Sequence, residues 1–218
     1  MNIKFIKNDE FSISKWSGGT TSQLAIYPEF AVYDERDFLW RISSAKVEVD
    51  KSTFTKLDDY KRIIMILDGE LELIHKDQHS ALLNQFESDY FNGEWETTSY
   101  GRVVDYNLMM SKSCQGDIEY IKVANTFKQI ELCNKINRLE KKNSKKAKKY
   151  TQTFYCYSGV ISIKLLEDTY IIEKGDFLQV DFDQSDDLKN IEFSLEKVSI
   201  SPLESLPYAE LISAFISY

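Results

Sequence analysis

Two well-separated stretches set the limits on what this chain can fold into. Arg62-Ile63-Ile64-Met65-Ile66-Leu67 is apolar on both faces, Asp68-Gly69 turns the chain, and Glu70-Leu71-Glu72-Leu73-Ile74 alternates. Phe154-Tyr155-Cys156-Tyr157, Ser158-Gly159 and Val160-Ile161-Ser162-Ile163 repeat that order of events. An unbroken apolar run suits a strand covered on both sides, and period-two alternation suits a strand with one wet face. Each copy then reaches a glycine followed by an acidic residue and an apolar one, at Gly93-Glu94-Trp95 and Gly175-Asp176-Phe177. A turn glycine free to take positive φ, followed by a second tight turn, is the rhythm of a small antiparallel barrel.

Further strands are expected within Leu39–Val49, Val103–Met110 and Tyr170–Val180. The 29 aromatic residues, mostly Tyr and Phe, suit pleated, half-buried surfaces. Helical spacing is confined to Leu132, Ile136 and Leu139, just ahead of a lysine-rich run, and stays ambiguous. The expected class is therefore all-β with little helix. Two barrels are expected, over residues 1–140 and 150–218, joined by a basic linker at 141–149. Bulky side chains in Phe154–Tyr157 and Phe177–Val180 should fill the second barrel and leave it structural.

Charge narrows the partners. The 218 residues hold 27 basic and 35 acidic side chains, net −8. Six of the basic ones are lysines of Lys141–Lys149, so the rest of the chain carries 21 against 35, or −14. Such a body repels phosphate, and no nucleic-acid partner is expected; the lysine run reads as a solvated connector. The longest apolar run, Ile63–Leu67, falls far short of the roughly 18 residues of a membrane helix. Lys4, Lys7, Asp9 and Glu10 interrupt the N-terminal stretch where a signal peptide needs an apolar core. A cytoplasmic protein, off the membrane, is expected. Cys114, Cys133 and Cys156 form no Cys-x-x-Cys pair and read as reduced, inert thiols. The Lys-Asp-Gln between His75 and His79 looks like a turn, so both read as surface-loop histidines, and a metal centre usually needs three or four ligands. No metal and no cofactor are expected.

Several segments, in order and spacing, resemble the HutD/Ves family of bicupins. They are Trp16-Ser17-Gly18-Gly19-Thr20-Thr21-Ser22-Gln23, Phe38-Leu39-Trp40-Arg41-Ile42-Ser43-Ser44-Ala45, Phe54, Arg62, Leu67-Asp68-Gly69, Phe91-Asn92-Gly93 and Asp105-Tyr106-Asn107-Leu108-Met109. The resemblance covers Trp16 to Met110. It implies two cupin-like antiparallel barrels and a role beside histidine degradation, binding a pathway-related acid without an established reaction. Departures fall in turns: Lys51-Ser52-Thr53 before Phe54, Leu57-Asp58-Asp59-Tyr60-Lys61 before Arg62, and Glu94 after Gly93. Gly69 is followed by no His-x-His pair, which the metal-binding cupin motif needs, so a metal-dependent oxygenase is disfavoured.

The residues carry a reading of their own. Alternation puts Arg41 on one face with Ala45 and Val47, and Arg62 on one face with Ile64 and Ile66. A guanidinium on an apolar face needs a partner. That partner is an internal carboxylate such as Asp105, or it is the carboxylate of a ligand, which the planar guanidinium fork fits. Asp105 and Asn107 share a strand face and, turned inward, could orient an arginine or meet a ligand. Trp16, ahead of two glycines, could wall a pocket, and Gln23 is a further polar candidate. The function expected is non-enzymatic binding of a small carboxylate such as urocanate or formylglutamate, by a monomer or homodimer. The alternatives are a metal-free isomerase or hydrolase using Asp105, Tyr106 or Glu94, and a ligand-free scaffold whose first barrel is filled and apolar.

Overall fold

A computed structural model describes residues 1–124, 127–140, 147–188, 190–198 and 207–218. The chain divides into two compact units, Phe11–Cys114 and Met1–Glu10 with Gln115–Tyr218. Strand β1 (Asn2–Ile6) comes first. The Phe11–Cys114 unit follows with β2 (Ser12–Trp16), β3 (Gly19–Tyr27), β4 (Trp40–Val47), β5 (Lys51–Thr53) and β6 (Tyr60–Asp68). It continues with β7 (Leu71–His75), β8 (Ser80–Leu83), β9 (Ser88–Asn92), β10 (Thr97–Tyr100) and β11 (Val104–Ser111). The rest comprises β12 (Gln115–Val123), β13 (Lys128–Glu131), α1 (Leu132–Glu140), β14 (Lys149–Ser158) and β15 (Val160–Leu165). It closes with β16 (Asp168–Glu173), β17 (Phe177–Asp183), β18 (Glu192–Lys197) and β19 (Ala209–Ser217). The chain is all-β. The ambiguous Leu132–Leu139 spacing resolves as the helix, with Leu132 and Leu139 buried. Among the described residues no helix is long and apolar enough to cross a membrane.

Each unit is built from two antiparallel sheets. In the first unit they run β2-β3-β4-β11-β6-β9 and β5-β10-β7-β8. In the second they run β1-β17-β14-β19-β12 and β13-β18-β15-β16. The pairings repeat: β4-β11-β6-β9 has the same connectivity as β12-β19-β14-β17, and β5-β10-β7-β8 the same as β13-β18-β15-β16. The internal repeat thus begins at β4 and again at β12. That is why the division falls at residue 114 and not at the expected 140–149: β12 and β13 pair with strands of the second unit, and so does β1. Of the expected linker, residues 141–146 lie outside the described part, and Lys149 already belongs to β14.

The glycine turns also do something other than close hairpins. Gly69, at φ +89°, joins β6 to β7, and these strands lie in different sheets. Gly159, at φ +77°, carries β14 to β15 in the same way. The second glycines are not equivalent, because Gly93 follows β9 whereas Gly175 precedes β17.

The core of the first unit lies between its sheets. Ile64, Ile66 and Phe91 from one sheet meet Leu71, Leu73 and Leu83 from the other. In the second unit Phe154, Phe182, Phe193 and Phe215 are buried together with Ile161, Ile163 and Leu178. That cluster is built of bulky aromatic and branched side chains. A hollow of about 590 Å³ in that unit, lined by Phe127, Gln129, Ser162, Lys164, Thr169, Ser194 and Glu196, lies on the wet face of β13-β18-β15-β16.

Candidate functional site

Register decides which side chains meet. Directly paired residues of an antiparallel ladder point to one face. Met109 of β11 pairs with Arg41 of β4 and with Arg62 of β6, so the two arginines flank it. The next row on that face is Gln23, Ser43, Asn107 and Ile64, and beyond it stand Thr21, Ala45, Asp105 and Ile66. The polar residues of four apolar-patterned strands are therefore gathered on one inward face.

They line a cavity of about 560 Å³ within the first unit. Arg41, Arg62, Asp105, Asn107, Gln23 and Trp16, all singled out in the sequence, border it. Trp16, at the end of the wholly exposed strand β2, is a rim residue, 39% exposed. Its ring lies so close to Gly18 that a Cβ there would stand 2.1 Å from a ring carbon. Ser12, Lys15, Asp34, Ser52 and Thr55 line the cavity as well.

Both arginines are sealed, Arg41 at 5% exposure and Arg62 at 4%. Arg41 Nε donates to Gln23 Oε1 at 2.8 Å, a terminal nitrogen donates to Ser43 Oγ at 3.1 Å, and the guanidinium lies 4.4 Å from the Tyr33 ring centre. Arg62 has less. Its guanidinium lies 4.6 Å from the Phe54 ring centre and 5.2 Å from that of Phe91, and its Nε has no hydrogen-bond partner. Among the described residues the arginines in ion pairs are Arg102 and Arg138, not these two. The internal salt bridge to Asp105 that the sequence left open is absent. Asp105 and Arg62 influence each other only from beyond ion-pairing distance.

Burial shifts every charge here. It pushes Arg62 down to about 10 and lowers Arg41, yet an arginine at about 10 is still a cation at neutral pH. Burial pushes the Asp105 carboxyl up to about 7, against the pull of Arg62 and of the Ala45 N–H that donates to it. Asp105 Oδ1 and Asn107 Oδ1 are buried and also without partners. The site thus offers two cations lacking anions, a carboxyl close to half-protonated at neutral pH, and an amide oxygen ready to accept. It is open and lined by polar as well as apolar side chains, unlike the filled, wholly apolar barrel expected of the scaffold alternative.

Ser43, Tyr33 and Phe54 belong to the site without having been singled out for it. Ser43 could have been found, since it lies two residues from Arg41 on the same face. Tyr33 sits in a short 3-10 turn and Phe54 just past β5, where no periodicity aims a side chain.

The histidines correct a second expectation. His75 is not in a surface loop: β7 continues through it, and alternation buries it with Leu71 and Leu73 at 2% exposure. His79 is exposed on the following turn. The cysteines divide too, with Cys114 and Cys156 buried and Cys133 half-buried.

Comparison with solved structures gives the fold its relatives. PA5104, a conserved protein of unknown function from Pseudomonas aeruginosa PAO1, matches at 17% identity and a TM-score of 0.74, with 100% of both chains covered. HutD from Pseudomonas fluorescens SBW25, solved in a formate condition, matches at 17% identity and a TM-score of 0.64 over 98% of each chain. A variant of Bacillus subtilis oxalate decarboxylase shares 6% identity and a TM-score of 0.61, over 98% of this chain and 76% of its own. At such identities the likeness is one of fold. No curated protein matches the sequence. Fold and site together define an all-β, cupin-like protein with buried arginines around a cavity. The chain belongs to the HutD family, whose sequence model matches residues 8–197.

Proposed function

We propose that the cavity of the first unit receives a small carboxylate metabolite, urocanate or formylglutamate among the candidates, and that the protein moderates histidine utilisation by binding it. The observation that carries this reading is Arg62: a sealed guanidinium with an unpartnered Nε and no ion-paired carboxylate. A ligand carboxylate supplies both missing partners at once, because the guanidinium fork accepts it side-on. Each such charge-assisted bond contributes about 1.5–3 kcal/mol. Two arginines and a polar rim then support micromolar binding, about −8 kcal/mol. Asp105, near half-protonated at neutral pH, repels an incoming anion less than a full carboxylate would and can donate to it. On this reading each unit is a cupin-type barrel, the first holding the ligand and the second structural, in a cytoplasmic monomer or homodimer.

Calorimetry of the full chain with urocanate, formylglutamate and glutamate tests it. Heat with at least one acid, lost in Arg62→Ala, is expected; no heat with any of them overturns the reading. A second reading, a metal-free isomerase or hydrolase, is favoured by one observation, the raised Asp105 carboxyl inside the cavity, since acid–base groups work best with such a pKa. It requires turnover in a metabolite mixture that survives chelator and disappears in Asp105→Asn.

A further inference from the structure

At the edge of the first unit, outside the residues that line the cavity, three potential metal ligands converge. His75 ends β7, His79 sits on the turn to β8, and Asp89 lies near the start of β9. The backbone fixes the spacing, because His75 N–H donates to the His79 carbonyl at 2.9 Å across the turn and Asp89 pairs with Ile64 of β6. His75 Nε2 lies 2.8 Å from Asp89 Oδ2, and His79 Nε2 lies 3.0 Å from the same oxygen and 3.1 Å from Oδ1. One donor atom from each residue falls within 4.8 Å of the others. These are both of the chain's histidines.

We propose that His75, His79 and Asp89 form a site for a first-row divalent transition ion, of which zinc is the natural probe.

The donor set selects the ion: two imidazoles and one carboxylate suit zinc, nickel or copper, whereas magnesium and calcium require oxygen shells. Tetrahedral bonds of about 2.0–2.2 Å set donors about 3.4 Å apart, so each imidazole nitrogen must stand slightly further from Asp89 while the two nitrogens come within that distance of each other. His79, on an exposed turn, can provide that movement. A supporting shell is present as well. His75 Nδ1 lies 2.8 Å from Thr97 Oγ1, and that hydroxyl donates to the Trp95 carbonyl at 3.4 Å. Either ring nitrogen of His75 can carry the proton; with it on Nδ1, donated to Thr97 Oγ1, the Nε2 lone pair faces Asp89 and is free to bind an ion. Metal-bound histidines characteristically make such a bond from the other ring nitrogen. Phe91, 4.6 Å from the His75 ring, and Trp95, 5.6 Å from it and 5.7 Å from His79, wall the inner side and leave the approach past His79 open. Arg62 is the opposing charge nearby, and its guanidinium is stacked on Phe54 and Phe91.

Chelator-stripped full-length protein titrated with zinc sulfate at neutral pH, with magnesium chloride as control, decides the matter. One zinc per chain and no response to magnesium are expected. His79→Ala and Asp89→Asn should each weaken zinc binding at least about tenfold, which is what loss of even an outer-shell partner costs. Both alter residues that are exposed or half-buried, and circular dichroism checks that the fold survives. Should a variant unfold, the wild type still answers: zinc must shift the imidazole nitrogen resonances of both histidines together. Absence of zinc binding, unchanged affinity in both variants, or zinc binding with both histidine spectra unmoved would overturn the proposal.

Discussion

Arg62 keeps its charge in a place that opposes it. The fall from 12.5 to about 10 amounts to about 3 kcal/mol against the charged form. The Phe54 and Phe91 rings return about 2 kcal/mol by cation–π attraction when water is excluded. Arg62→Met should therefore abolish carboxylate binding and at the same time leave stability unchanged or raise it by about 1 kcal/mol. Loss of binding together with loss of stability in urea denaturation would mean that Arg62 serves the fold. Asp105 makes a complementary prediction with a definite sign. Its folded pKa is raised from 3.8 to about 7, so between those values the folded chain holds a proton that the unfolded chain releases. Stability from this group is present below about 4 and is lost as pH rises through about 7, by at most about 4 kcal/mol. Asp105→Asn should flatten that decline, and urea midpoints from pH 4 to pH 8 that keep the wild-type slope would contradict it. An arriving carboxylate raises the Asp105 pKa further, so binding should take up protons near pH 7 and weaken above it. The two arginines were legible because a cation on an apolar, alternating face is conspicuous. Their aromatic neighbour Tyr33 was not, since it stands in a turn where side-chain direction is set by tertiary contacts alone. His75 was misread because the residues just after it look like a turn, although alternation continues one residue past Ile74.

Among the elements, the passage from β6 to β7 is the most exacting. Gly69 sits at φ +89°, and a Cβ on it would stand 2.6 Å from the Arg102 carbonyl oxygen. Both facts oppose a side chain, and the left-handed region alone costs an L residue about 1–2 kcal/mol. Gly69→Ala should lower stability by more than about 1 kcal/mol in denaturant titration, and an unchanged midpoint would show that the turn relaxes freely. The repeat itself was visible as strand, glycine, alternating strand, and Gly69 and Gly159 do occupy equivalent crossings between sheets. Pairing was not visible. Period-two alternation says which face is wet but not which strand lies alongside, so the crossing looked like a hairpin. For the same reason Gly93 and Gly175 looked equivalent while marking opposite ends of their strands.

At the scale of the whole chain, long-range pairing overrides sequence order. Strand β1 joins β17, from Asn2 opposite Asp181 to Ile6 opposite Phe177, and Asp176 accepts from Lys7 Nζ at 2.9 Å and from the Asn8 N–H. Deleting residues 1–7 should thus raise hydrogen exchange in β14 and β17 while the carboxylate site persists. Trp16, Trp40 and Trp95, all three tryptophans, belong to the Phe11–Cys114 unit and report on it separately by fluorescence. Faster exchange in β6 and β11 with β17 unaffected would contradict this assignment. No local pattern announces such a pairing, which is why the division between units was expected near the lysine run. The central claim, that the buried arginines await a carboxylate, is tested most directly by the structure of the full-length protein crystallised with urocanate. The expected result is a ligand carboxylate within hydrogen-bonding distance of Arg62 Nε, with Asn107 or Asp105 meeting its other polar end. A cavity holding only water at saturating urocanate, or a ligand seated away from both Arg41 and Arg62, would contradict it.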